Sequence, residues 1–203
     1  MMEKDLPQRQ ARAIRRSVRK KYAAVSRKPG GHFPYPVGRR SALKLGYARP
    51  WIDAAPRPAV DRFVGVGNPF LLRRPRPGDR VLDAGCGAGM DAFVAAGLVG
   101  PAGRVVGIDL TAEMLAPARR ALAASGPGNL TFRRASVEKL PFPDRSFDLV
   151  VTNGVLNLVP DKDAAYGEIR RVLRPGGILA AADLLVVNAV PEEILSDMDA
   201  WSG

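Results

Sequence analysis

Histidine and cysteine are almost missing from this chain of 203 residues, which has only His32 and Cys86. One histidine excludes a zinc site built on several histidines, and one cysteine excludes an intrachain disulfide. The lone thiol suits a reducing cytoplasm, where we expect the protein to reside. No uncharged apolar run approaches the roughly 18 residues of a transmembrane helix, and the N-terminus lacks the apolar stretch of a signal peptide. No Gly-Lys pair occurs, so a P-loop is excluded. Acidic residues are also scarce at one end. Residues 1–50 hold 14 basic and 2 acidic residues, whereas residues 51–203 hold 17 and 18. The formal charge of +11 therefore belongs to the front of the chain, and the rest is nearly neutral.

What is present is ordinary for one globular domain with a core: 46% hydrophobic and 25% charged residues. Residues 8–25 read as an amphipathic helix, because Ala11, Ile14, Val18, Tyr22 and Val25 recur at helical spacing among Arg and Lys. We expect this to be a solvated basic face over an apolar stripe docked on the body. Binding to nucleic acid or an anionic membrane is the alternative. Residues 26–80 contain nine of the 18 prolines and read as an irregular linker or lid, with helical turns at Ser41–Gly46 and Pro58–Phe63. We place the boundary at 77/78, with a basic helix and Pro/Gly-rich lid over 1–77 and the main domain over 78–203.

From Arg80 the pattern alternates. Strands are expected at Val81–Ala84, Arg104–Asp109, Leu130–Arg134, Phe147–Thr152 and Ile178–Val187. Helices are expected at Met90–Leu98, Ala112–Ala124, Asp161–Leu173 and Pro191–Trp201. Strands alternating with helices predict right-handed crossovers and a doubly wound, mostly parallel α/β sheet. Pro117 conflicts with the helix around it. An interior proline costs about 3 kcal/mol, so a kink or a late start is expected there.

The most informative segment is V-L-D-A-G-C-G-A-G, residues 81–89. A strand runs into three glycines, which permit positive φ and close approach of a ligand, and a helix follows. The dinucleotide pattern G-x-G-x-x-G fails, because Met90 stands at its sixth position. An acid two residues before the first glycine, Asp83, is a poor neighbour for a pyrophosphate. It suits a ligand carrying an ammonium and a sulfonium. Asp109 ends the next strand, where an acid accepts hydrogen bonds from ribose hydroxyls in nucleoside-binding sheets of this kind.

In order along the chain, D-A-G-C-G-A-G, V-V-G-I-D-L-T, F-D-L-V-V-T-N and L-R-P-G-G resemble the motifs of class I S-adenosylmethionine-dependent methyltransferases, over about residues 78–190. The resemblance implies a Rossmann-like methyltransferase fold with strand order 3-2-1-4-5, its last two strands missing, and S-adenosylmethionine as cofactor. It implies that Asp83, Gly85 and Gly87 hold the methionine moiety, with Gly89 shaping the loop. Asp109 would bind the ribose, and Leu110 and Met114 would flank the adenine. Val137 and Glu138 would lie near the adenine amine, and Asn153 near the methionine end.

Two further stretches, V-G-V-G-N-P-F at 64–70 and T-N-G-V-L-N-L-V-P-D-K at 152–162, resemble the arsenite methyltransferase subfamily. The basic helix ending near Tyr22 resembles the helix that closes over the cofactor there. By that resemblance Gly154, Asn157 and Tyr22 face the acceptor pocket. The subfamily holds trivalent arsenic on thiolates, as ligand softness requires. Here Gly154 stands where one of its cysteines would be, no cysteine lies in 64–70, and Cys86 reads as a small packing residue in the loop. The chain stops at Gly203, just before the position of a later cysteine. This motivates the expectation of a chain truncated there, with a selenocysteine codon read as a stop as one route, which sequencing past residue 203 tests. Asn68-Pro69-Phe70 is a poor match to the N-P-P-[YF] element of amino-group nucleic-acid methyltransferases, since it precedes the first strand.

The expected function is methyl transfer to a small-molecule acceptor. A soft nucleophile or a carbon acid needs little from a general base, so no catalytic residue is named. The alternatives are a nucleic-acid methyltransferase using the basic front end, and a non-catalytic cofactor-binding remnant.

Overall fold

The computed structural model describes residues 8–185. The element order is α1 (Gln8–Arg27), α2 (Gly38–Lys44), α3 (Arg49–Ala54), α4 (Arg57–Asp61), β1 (Arg80–Ala84), α5 (Met90–Val99) and β2 (Arg104–Asp109). It continues with α6 (Ala112–Ser125), β3 (Leu130–Arg134), β4 (Phe147–Asn153), α7 (Lys162–Val172) and β5 (Leu173–Ala182). The five strands form one parallel sheet in the order β3-β2-β1-β4-β5. This is the expected doubly wound topology. Among the described residues, no helix is long and apolar enough to cross a membrane. The helix expected at 191–201 lies outside the described residues.

Alternation along β1 and β4 divides the core between the two sheet faces. Val81, Leu149 and Val151 pack with Phe93 and Val94 of α5. Leu82 and Val150 pack with Ile169 and Val172 of α7. Six of the seven residues of β4 are buried, as a central parallel strand requires. α5 is buried nearly all round, because its sequence M-D-A-F-V-A-A-G-L-V has no polar face and a second layer covers it. That layer is the segment expected to be irregular. α2, α3, α4, their connections and the 3₁₀ turn Pro69–Leu71 contribute Ala42, Tyr47, Ile52, Val60, Phe63 and Phe70 to the same core cluster as α5. Its prolines sit at helix starts, at Pro50, Pro58 and Pro69, where a missing N–H is harmless.

Two expectations at element ends are corrected. α7 stops at Val172, and β5 begins at Leu173 rather than Ile178. Leu173 pairs with Phe147 and Ile178 with Leu149, so residues 174–177 loop out of register. Pro175 cannot donate to a ladder, and Gly176 has a φ of +77°, so R-P-G-G forms the excursion. α6 runs unbroken through Pro117. The proline leaves the Glu113 carbonyl without its helical donor, and the Ser26 hydroxyl at the end of α1 donates to that oxygen at 2.6 Å. A residue 87 positions earlier thus supplies the bond that the proline removes.

That pairing predicts non-additive stability. Ser26→Ala should lower unfolding free energy by about 1 kcal/mol. The loss should shrink in a Pro117→Ala background, where the helix again has its own donor. Urea titrations of the single and double variants measure this.

Candidate active site

The C-terminal ends of β1, β2 and β4, roofed by α1, enclose a cleft. Asp83, Gly85, Gly87, Asp109, Leu110, Met114, Val137, Glu138, Asn153, Gly154 and Tyr22 all line it, so the structure brings these sequence-selected residues together. It leaves two of them out. Gly89 caps α5 with a φ of +90°, and a Cβ there would lie 2.6 Å from the Phe132 ring, so its smallness serves packing under the loop. Asn157 is not on the cleft wall, and its backbone N–H donates to the Asp183 carboxylate at 3.3 Å.

The glycine loop folds its own donors inward. Gly85 and Cys86 N–H donate to the Ile108 carbonyl at 2.8 Å, Gly89 N–H to Cys86 at 2.8 Å, and Gly87 N–H to Asp109 Oδ2 at 2.9 Å. Those N–H groups are unavailable to a phosphate, which separates this loop from phosphate cradles. Gly85 has a φ of +83°, and a Cβ there would collide with Val155. Asp109 also accepts from Thr111 N–H at 2.7 Å and from the Thr111 side chain.

The cleft floor is acidic. Asp83 and Asp91 are 2% and 6% exposed. Burial, with Asp91 and Asp109 nearby, holds the Asp83 carboxyl well above the usual carboxylate range. Burial lifts Asp109 as well. Asp83 Oδ2 is buried with no hydrogen-bond partner. This fits S-adenosylmethionine: an orphaned buried acceptor matches an ammonium, and the acids match the positive charge of a sulfonium.

Sequence reasoning missed Asp91 and Tyr47 and undervalued the structural part of Asn153. The Asn153 carboxamide oxygen accepts from Val66 N–H at 2.8 Å and Gly67 N–H at 3.1 Å. Its nitrogen lies 2.9 Å from the Gly67 carbonyl, 3.0 Å from Asp91 Oδ2 and 3.1 Å from the Tyr47 hydroxyl. Tyr47 donates to Asp91 Oδ1 at 2.6 Å. The only local sign was an acid beside an apolar helix start.

The roof is held near its middle and at its C-terminal end. Arg15 pairs with Glu138 at 2.6 and 2.8 Å, Ser26 reaches α6, and Arg62 donates to the Ser26 carbonyl at 2.7 Å. Glu138, expected near the adenine amine, is thus engaged by the lid helix. Ala11, Ile14 and Val25 are buried beneath α1, while Arg9, Arg12, Arg16, Arg19 and Lys20 are exposed, as expected for a docked helix with a solvated basic face. Burial pushes the Cys86 thiol well above its ordinary pKa, so it is a poor thiolate ligand.

A five-stranded sheet in this order, with an acidic cleft behind a G-x-G-x-G loop, defines the class I S-adenosylmethionine-dependent methyltransferases. The family profile described as "Methyltransferase domain" matches residues 75–203, more than half of the chain, and the chain belongs to that family. The arsenite methyltransferase of Halobacterium salinarum is 39% identical over 160 residues, covering 79% of this chain and 41% of that protein. That of Aquipseudomonas alcaligenes is 42% identical over 145 residues, covering 67% and 41%. The crystal structure of an arsenic(III) S-adenosylmethionine methyltransferase from Chlamydomonas reinhardtii superposes with a TM-score of 0.61 at 35% identity, covering 83% of this chain and 58% of that one. The chain therefore spans about two fifths of the length of the curated relatives it matches.

Asn153→Leu should cost about 2–4 kcal/mol of stability, because it strands two backbone N–H groups and loosens Asp91. Guanidinium titration measures the loss.

Proposed function

We propose that this chain carries the cofactor-binding machinery of a methyltransferase acting on a small acceptor, and that it works in the cytoplasm. The observation that carries the reading is the buried, partnerless Asp83 oxygen beneath a roofed acidic cleft. When bound, S-adenosylmethionine supplies a methyl group on a positively charged sulfur. Asp83 would hold its ammonium and Asp109 its ribose, with Met114, Leu110 and Val137 against the base. Val18, Phe63, Val64, Val155 and Leu158 give the remaining wall an apolar character that excludes water. The residues' work is positioning and desolvation rather than proton transfer.

Likeness to arsenite methyltransferases supports a soft acceptor. The lack of cysteine on this wall, apart from half-buried Cys86, favours one that brings its own nucleophile, such as a thiol, over a metalloid held by protein thiolates. One observation favours a second reading, a nucleic-acid acceptor: the exposed cations of α1. That reading requires affinity for RNA or DNA that falls steeply with salt.

Calorimetry with S-adenosylmethionine and transfer of labelled methyl to arsenite, small thiols and RNA test these readings in parallel. Expected are cofactor binding and labelling of a small molecule but not of RNA. Cofactor binding without any turnover supports the remnant instead. Asp83→Ala and Asp109→Ala should each weaken cofactor binding by about tenfold or more, since each removes a charged or charge-assisted contact.

A further inference from the structure

Asp91 stands outside the glycine motif but lines the same cleft as Asp83. It lies in the first turn of α5, and both its oxygens are held, Oδ1 by the Tyr47 hydroxyl and Oδ2 by the Asn153 carboxamide. Both partners are neutral, so they set the position of the carboxylate without cancelling its charge. The partner of Asp83 is also neutral, the Ala92 N–H, and its second oxygen has none. The cleft thus holds two buried carboxylates with neutral partners. Two arginines that line it are directed elsewhere: Arg15 to Glu138, and Arg62 to the carbonyls of Ser26 and Pro58. Burying one anion is costly and burying two adds their repulsion, unless a cation enters with the ligand.

We propose that Asp91 is a positioning residue for S-adenosylmethionine: held by Tyr47 and Asn153, its carboxylate is the second anionic partner, with Asp83, of the ammonium at the cofactor's amino-acid end. The proposal rests on the cofactor and not on which acceptor is used. It also gives the 38–71 layer a role in binding. Tyr47 comes from the α2–α3 connection, and Asn153 also ties down Val66 and Gly67, so recognition of the ammonium depends on that layer being docked.

The titratable groups in this cluster are Asp83 from β1, Asp109 from β2, Tyr47 and Asp91 itself. Burial raises Asp91 to about 6 and holds Asp83, Asp109 and Tyr47 above their ordinary values. An ammonium favours the ionised carboxylates, so binding near pH 6 expels protons to the buffer.

The test compares S-adenosylmethionine with 5′-methylthioadenosine, which keeps the adenosine and the sulfur but lacks the amino-acid end. Calorimetry at pH 6 in two buffers of different ionisation enthalpy gives both affinity and proton release. Asp91→Asn should weaken S-adenosylmethionine binding by about tenfold or more, leave methylthioadenosine unchanged, and reduce proton release. Tyr47→Phe should show the same selectivity with a smaller loss, and it carries the comparison if Asp91→Asn does not fold. Equal losses for both ligands would show a merely structural role and overturn the proposal, as would no loss for either or undiminished proton release. Failure of the unsubstituted chain to bind either ligand would instead overturn the cofactor assignment, and the proposal with it.

Discussion

A carboxyl group buried at the C-terminal end of β1 is the constraint around which this cleft is organised. Asp83 is 2% exposed and has an oxygen without a partner. A donor on a ligand bound in the cleft would complete it. The glycine loop reinforces the choice, because its N–H groups close on Ile108, Cys86 and Asp109 instead of pointing at an anion. Charge and donor direction agree that the ligand is cationic where it meets the strand, and family membership agrees with both.

The same constraint explains why so much of the molecule is gathered at one edge of the sheet. Water must be kept from the acids for them to act strongly on a cation. α1 roofs the cleft through Arg15–Glu138 and Ser26, and the 38–71 layer closes it through Tyr47 and the Val66–Gly67 backbone. Asn153, at the end of the most buried strand, is the joint between sheet and layer. Its carboxamide offers donors and acceptors together, which neither a leucine nor a carboxylate can do.

Much of this was legible in the residues. Alternating apolar runs announced the parallel sheet, and D-x-G-x-G-x-G with Asp109 announced the cleft, because both signals are local. The layer over α5 was legible only in part: helical turns were read at 41–46 and 58–63, but not that they pack on a neighbour as a second layer. Pro117 read as a kink or a late helix start because its remedy, Ser26, belongs to another helix. Asp91 went unread because its partner Tyr47 is 44 residues away in sequence.

The sequence by itself determined the strand–helix alternation, the glycine loop with its two acids, the segregation of charge and the scarcity of thiols, since each is a property of neighbours along the chain. Only the tertiary structure decided that Gly89 packs against Phe132, that Glu138 holds the roof, and that Asp91 joins Asp83 in the cleft. Those roles depend on distances between residues far apart in sequence, and a hydrogen bond or a buried charge is defined by such distances.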